Sequence, residues 1–190
     1  MFVEVLVIGI GALAGVFGCV SAVVGYGDMR KLATVLSSTP ASGVALSTAY
    51  ALGIVFDRAA DYLLTSPRRR LRRRYFATNA AYGEARRIII DFPHLMAMSD
   101  YARSRMRICR GWFLDCLLLS LAGSLLVWRF PVENRLGIFI AVIMLGGLGA
   151  AGFYLSWRSI TATGYKKLAQ QTLNAAASVP SQSGDLAANA

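Results

Sequence analysis

Residues 3–24 read VEVLVIGIGALAGVFGCVSAVV, and this stretch decides the fold class. After Glu4 it contains no charged residue and a single serine. About 20 apolar residues in a helix span the hydrocarbon core of a bilayer. No basic residue precedes the run, and the run is longer than the apolar part of a cleaved signal peptide. The stretch therefore predicts a retained first transmembrane helix.

Three further apolar segments follow, at about residues 38–56 with a possible extension to Leu64, then 112–128 and 136–157. Tryptophans stand at the ends of the last two, where aromatic side chains favour the membrane interface. Residues 131–134 form a short turn, which makes these two segments a tight hairpin. The chain is 56% hydrophobic, against about 45–50% for soluble domains. We expect an all-α polytopic membrane protein, its four transmembrane helices arranged as two antiparallel hairpins.

The distribution of charge predicts the orientation of these helices. The chain carries 20 Lys+Arg against 10 Asp+Glu, and twelve of the arginines lie in the 46 residues 66–111. The other two connections each carry a net charge of about +1 by the same count. Basic residues collect on the cytoplasmic side of a membrane protein. The arginine-rich loop and both termini are therefore expected in the cytoplasm, in a multi-pass protein of the bacterial inner membrane.

The loop between the second and third segments reads as a helical hairpin. Few helix breakers occur between Pro67 and Pro93, and Pro93 suits the first turn of a second helix that continues into segment three. After Gln170 the chain is rich in Ala, Ser, Asn and Gln, which indicates disorder. The predicted parts are a first transmembrane hairpin, a cytoplasmic arginine-rich loop, a second transmembrane hairpin and a largely disordered cytoplasmic tail, at 1–65, 66–111, 112–158 and 159–190.

A cluster of six arginines in seven residues directly follows the second segment. Its members are Arg68, Arg69, Arg70, Arg72, Arg73 and Arg74. Such clusters attract anionic lipid headgroups, and they also serve as topology anchors. An acidic protein partner is a further reading. Nucleic acid is disfavoured because no recognised binding module surrounds the cluster.

Acidic and basic residues are expected to meet at the cytoplasmic ends of segments two and three. Asp57 and Asp61 are spaced i, i+4 at the end of segment two. A row of arginines on one helical face precedes segment three, and it consists of Arg103, Arg107 and Arg110. A carboxylate near hydrocarbon is costly unless it is paired. We therefore expect Asp57 or Asp61 to pair with this row, with Asp115 as a possible third acid. The alternative is that these acids are solvated at the interface.

Small residues at helical spacing mark faces where membrane helices can approach closely. The expected packing residues are Gly11, Gly15, Gly18, Ser47, Ala51, Gly147 and Ala151. These faces serve either packing within one chain or a homo-oligomer. Because three of the four segments carry such faces, some oligomer is expected.

No cofactor and no metal site are expected. The three cysteines lack zinc-site spacing, and no second acidic cluster accompanies Asp57 and Asp61. We expect a non-enzymatic membrane subunit that oligomerises, or that docks a cytoplasmic partner or anionic lipid through its basic loop, as a sensor, scaffold or accessory component. One alternative is a pore-forming, channel-like effector. The least favoured alternative is a lipid-active enzyme centred on Asp57, Asp61 and Asp115.

Overall fold

The computed structural model describes residues 2–25, 39–90 and 93–178. Over these residues the chain forms six α-helices and no strand. The helices are α1 (Phe2–Val24), α2 (Thr39–Leu63), α3 (Thr65–Arg73), α4 (Asn79–Ile90), α5 (Pro93–Arg129) and α6 (Arg135–Ser178). The all-α class expected from the sequence is confirmed for this part of the chain.

Three of the helices are long and apolar enough to cross a membrane, which is consistent with a membrane protein. The candidate spans are Phe2–Val24, Asp100–Arg129 and Arg135–Leu173. Helix α2 covers the predicted second segment but is not one of the three. It carries hydroxyl side chains along its length and three charged residues in its last two turns, which lower its hydropathy. The fourth span therefore stays a prediction.

The chain divides into two compact units. The first is built from the ranges 1–64 and 104–157, and the second from 65–103 and 158–190. The first unit therefore includes residues 104–111, which the sequence assigned to the loop. These residues belong to it because they contact α1: the Ser104 hydroxyl donates a hydrogen bond to the Glu4 carboxylate, and Ile8 packs on Gly111.

In the first unit, α1 and α2 run antiparallel in very close contact. A β carbon added at Gly9 would lie 1.7 Å from the carbonyl oxygen of Ala49, and one at Gly53 would lie 2.0 Å from that of Val5. The two backbones therefore touch where neither residue has a side chain. Such an approach favours association in lipid, where burial of apolar surface gives no drive.

The opposite face of α1 packs on α5, and these two helices run parallel. The contact positions advance together along both helices, as the pairs Gly11 and Asp115, Gly15 and Leu118, and Gly18 and Ala122 show. A β carbon on Gly18, for example, would lie 3.0 Å from that of Ala122. Helix α1 is therefore held between α2 and α5.

Helices α5 and α6 form an antiparallel hairpin in the first unit. Gly146 packs on Ser120, and the stacked rings of Trp112 and Phe153 lie 5.8 Å apart. The hairpin turns at Asn134, which has φ 52°, and the Asn134 side chain accepts a hydrogen bond from the Gly137 N–H at 3.3 Å to cap α6. Within this unit, α1 and α5 thus begin at the end where α2 and α6 finish.

The second unit contains α3, α4 and the distal part of α6. Its core consists of Phe76, Ala85 and Leu168, with Tyr82 and Tyr165 packed against it. The sequence predicted the first arm of a helical hairpin here, and the structure divides this arm, because residues 74–78 separate α3 from α4. Two features end the arm: Phe76 turns into the core, and the Thr78 hydroxyl caps α4 by accepting a hydrogen bond from the Ala81 N–H at 3.1 Å.

The end of α6 also differs from the prediction, which was a disordered tail after Gln170. It continues to Ser178, so residues 171–178 are helical where disorder was expected. The alanine-rich sequence explains this, because alanine has the highest helix propensity, and the buried Leu168 anchors the helix in the second unit. The rest of the predicted tail, 179–190, lies outside the described residues.

Candidate functional site

The charged centre of the first unit is Arg110 of α5, which binds two acids of α2. Its Nε and Nη2 donate to Oδ1 of Asp57 at 3.1 and 2.7 Å, and its Nη1 donates to Oδ1 of Asp61 at 2.6 Å. The side chains of Arg110 and Asp57 are only 13% and 9% exposed, whereas that of Asp61 is 34% exposed. A planar guanidinium suits this double contact because its donors point in fixed directions.

The spacing of the two acids explains why this arginine is needed. At i, i+4 on one helix, two carboxylates repel each other. One guanidinium between them offsets that repulsion and leaves a net charge of −1 on the three residues. Removing a partner from a buried ion pair costs about 3–5 kcal/mol, because the remaining charge is left desolvated. The contact therefore joins the last two turns of α2 to the middle of α5.

The other two arginines of the predicted row lie elsewhere. Arg103 pairs with Asp100, one turn earlier on the same helix, at 3.3 Å. Both of these side chains are largely exposed, so the pair contributes little. Arg107 is half-buried and close enough to Glu4 for its charge to act on that carboxylate. Of the row, the structure brings Arg110 to Asp57 and Asp61.

Asp115 does not join this network, although the sequence allowed for it. It is fully buried, and neither carboxyl oxygen has a hydrogen-bond partner in the part of the chain that the structure describes. It faces Gly11 of α1 so closely that a β carbon there would lie 2.6 Å from Oδ2. The carboxyl group of Asp115 therefore lies against α1, whereas the guanidinium of Arg110 binds the acids of α2.

The basic cluster lies in α3, and its last member, Arg74, directly follows that helix. Arg72 makes two contacts inside its unit: its Nη2 donates to Oδ1 of Asn79 at 2.8 Å, and its guanidinium carbon lies 5.1 Å from the ring centroid of Tyr82. Leu71 is buried and attaches α3 to its unit. The other five side chains are exposed, and they belong to Arg68, Arg69, Arg70, Arg73 and Arg74.

The predicted packing residues divide into two groups. Gly11, Gly15 and Gly18 pack on α5 within the chain. The remaining four are exposed, and they are Ser47, Ala51, Gly147 and Ala151. Around Gly147 there is no atom of the described residues within 4 Å of an added β carbon. In the described part of the chain, the faces of α2 and α6 that carry these four residues are therefore left exposed.

Sequence reasoning missed several positions that hold the bundle together. Gly9, Ala49 and Gly53 make the closest contact, and the Glu4–Ser104 hydrogen bond closes the end of the α1–α5 interface. Glycines on α1 were visible as a signal, but Gly9 lies off the row that was chosen. Among the described residues, no group of three or more His, Cys, Asp or Glu side chains could hold a metal ion. Cys19, Cys109 and Cys116 are free and half-buried.

The chain matches no protein-family model, no curated protein and no solved structure.

Proposed function

We propose that this chain is a non-enzymatic, multi-pass membrane subunit that binds anionic lipid headgroups through the exposed arginines of α3. The observation that carries the proposal is the difference between Arg72 and the other five arginines of the cluster. Arg72 makes contacts inside its own unit, whereas the side chains of five arginines within seven residues are exposed. Arginine forks match the oxygens of a phosphate group.

The position of the cluster in the chain supports a lipid ligand. Only Leu64 separates α2 from α3. A basic segment that directly follows a membrane helix is within reach of headgroups, and each basic residue near an anionic surface contributes about 1 kcal/mol. Five such residues give binding that is strong and sensitive to the lipid charge.

The proposal includes a topology of four spans with both termini in the cytoplasm. The helix directions in the first unit support it, since α1 and α5 run one way and α2 and α6 run the other. Helix α2 has 25 residues, and at about 1.5 Å per residue it is long enough to cross the hydrocarbon core. The arginine-rich loop then marks the cytoplasmic end.

The exposed small residues support self-association as the second part of the proposed role. Ser47 and Ala51 on α2, and Gly147 and Ala151 on α6, leave two small-residue faces that no other helix covers in the described part of the chain. Small faces of this type let helices of different chains approach closely. A homo-oligomer would multiply the number of basic helices at one membrane patch and raise their avidity.

Lipid binding is tested on the full chain in nanodiscs by native mass spectrometry, counting retained lipids. With a mixture of anionic and zwitterionic lipids, we expect the wild type to retain anionic lipid selectively. Replacing the five exposed arginines by glutamine abolishes that selectivity. The matched control replaces Arg129 and Arg135, which flank the turn of the α5–α6 hairpin, and it should keep the selectivity for anionic lipid.

Two results would overturn this function. Equal retention of anionic lipid by the five-fold variant would exclude the cluster as the lipid site. A different protein that copurifies from native membranes with the wild type, and is lost from the five-fold variant, would make the cluster a protein-docking surface instead.

A further inference from the structure

Asp115 is a carboxylic acid group enclosed within a candidate membrane span. It lies on α5 inside the span Asp100–Arg129 and is fully buried. Both of its carboxyl oxygens lack a hydrogen-bond partner among the described residues. Buried polar groups in proteins nearly always have such partners, and an ionisable residue inside a membrane helix marks a functional site by default.

The residues around the carboxyl group leave room for it. Gly11 of α1 faces it, and any side chain at that position would overlap Oδ2. Ile8 and Ala12, which flank Gly11 on the same helix, are completely buried. The carboxyl group thus occupies a space that a glycine leaves open between two apolar helices.

In the described part of the chain, no basic side chain forms an ion pair with Asp115. Arg110, one and a half turns earlier on α5, directs all three of its nitrogen atoms to Asp57 and Asp61 of α2. On α1 the ionisable group is Glu4, which accepts a hydrogen bond from Ser104. On α5 itself the adjacent titratable residue is Cys116, and on α6 the ring of Tyr154 packs on Phe113, two residues before Asp115.

The chemistry of the site selects one ligand. A calcium or magnesium ion needs about six oxygen ligands, and in the described residues Asp115 belongs to no group of three or more His, Cys, Asp or Glu side chains that could hold a metal ion. A proton needs only one oxygen, and it removes the charge that the apolar surroundings disfavour.

We propose that Asp115 is a reversible proton-binding site whose proton-loaded form allows α1 to seat on α5. In the binding step, the carboxylate takes up one proton and becomes a carboxylic acid, with no electron transfer and no second reactant. In the release step, a bare charge is left against Gly11, and the α1–α5 interface must admit water or loosen. Proton binding and helix packing are therefore linked, which makes the bundle responsive to pH.

The position of Asp115 indicates the end from which the proton enters. Arg110 precedes Asp115 by five residues, about 7.5 Å along the helix, and lies in the polar layer with Asp57 and Asp61. In the other direction, α5 continues for fourteen residues to Arg129, about 21 Å. The shorter path leads to the end that carries the polar layer.

The test is a pH titration of the full chain in nanodiscs, followed by infrared spectroscopy of carboxyl groups. We expect the spectrum of the wild type minus that of Asp115→Asn, which keeps the shape without the titration, to contain an acid carbonyl band that converts into carboxylate bands as the pH rises. The control Asp61→Asn should keep this Asp115 band. Identical acid bands in the wild type and in Asp115→Asn at every pH would overturn the proposal.

Two further measurements on the wild type do not depend on the folding of a variant. Dicyclohexylcarbodiimide adds to protonated carboxyl groups, and peptide mass mapping should find its adduct on Asp115, decreasing as the pH rises. An adduct on Asp115 that is independent of pH contradicts a reversible site. A titration midpoint that shifts when sodium replaces potassium would identify a metal-ion site rather than a proton site.

Discussion

Arg110 Nη2 lies 2.7 Å from Asp57 Oδ1, in a contact that joins two helices across 53 positions of sequence. Both side chains are largely buried, so the contact exists in surroundings where a single unpaired charge is strongly unfavourable. The same guanidinium binds Asp61, which makes Arg110 the shared partner of two acids. Arg110 therefore links both acids of α2 to α5.

Replacing Arg110 by glutamine should lower the free energy of unfolding by about 3–5 kcal/mol, because two carboxylates then remain without their cation. The loss should fall toward the lower value, since Asp61 is partly exposed. Thermal unfolding in detergent micelles measures the effect. Arg103→Gln is the matched control: it removes an exposed pair on the same helix and should change stability by about 1 kcal/mol or less.

A triple variant separates the charge effect from lost packing. Adding Asp57→Asn and Asp61→Asn to Arg110→Gln removes the unpaired charges, so much of the stability should return. Equal stability of Arg110→Gln and Arg103→Gln, or no recovery in the triple variant, would show that these acids are solvated.

A single methyl group at Gly9 should separate α1 from α2. In Gly9→Ala the new β carbon would lie 1.7 Å from the Ala49 carbonyl oxygen, and backbone atoms cannot move aside as a flexible side chain can. Overpacking of this type costs about 1–3 kcal/mol or more. The apparent melting temperature and the yield of extracted protein should both fall.

Gly43→Ala provides the control for this substitution. Gly43 also lies in α2, but an added β carbon there meets no described atom within 4 Å. Alanine favours a helix over glycine by about 1 kcal/mol, so this variant should be as stable as the wild type or slightly more stable. Equal behaviour of the two variants would contradict the close approach of α1 and α2.

The parallel packing of α1 and α5 is checked by crosslinking. In a background without the native cysteines, Gly18→Cys and Ala122→Cys should form a disulfide, because the two β carbons would lie about 3.0 Å apart and need only a small adjustment to reach disulfide distance. The control pairs Gly18→Cys with Leu121→Cys, one residue earlier and exposed. Efficient crosslinking of the control pair, or none of the test pair, would exclude this register.

The sequence was sufficient for the long apolar helices but not for the choice among their faces. Long apolar runs predict α1, α5 and α6 because the bilayer demands a minimum length of apolar helix. A glycine row shows only that a helix can be approached. On α1 the row of Gly11, Gly15 and Gly18 packs on α5, while Gly9, a residue outside the row, makes the contact with α2.

The charged site shows the same limit. Uncompensated acids near hydrocarbon are costly, so Asp57 and Asp61 are expected at the same depth as the arginine row. Helical spacing cannot tell which arginine of the row reaches the acids, since this depends on the rotation of α5 about its own axis. The same rotation turns Asp115 to Gly11, an outcome that spacing along α5 does not contain.

Arg72 and Arg73 are neighbours in sequence but should have separable roles. Arg72→Gln loses the hydrogen bond to Asn79 and the contact with the Tyr82 ring, which together contribute about 1–2 kcal/mol. The second unit should therefore become more sensitive to limited proteolysis. Arg73→Gln should leave proteolysis unchanged, because its side chain is exposed. The opposite pattern would assign the structural role to Arg73.

The exposed small residues of α6 can be tested for a role in the assembly of a homo-oligomer. Gly147→Leu fills a position with open space around it, so the single chain should fold normally while a homo-oligomer that uses this face should dissociate. The mass of the complex in nanodiscs, by native mass spectrometry, measures the change. Gly146→Leu is the contrasting variant: its β carbon would lie 2.3 Å from that of Ser120, so it should disrupt the α5–α6 hairpin itself.

The wild-type mass decides between the readings of that face. A closed homo-oligomer of four or more chains that dissociates in Gly147→Leu would support self-association and justify conductance measurements for a pore. A single chain bound to a different protein would make the subunit an accessory component. A wild type that is monomeric without a partner would leave the α6 face to lipid, because small side chains there would then serve neither kind of contact.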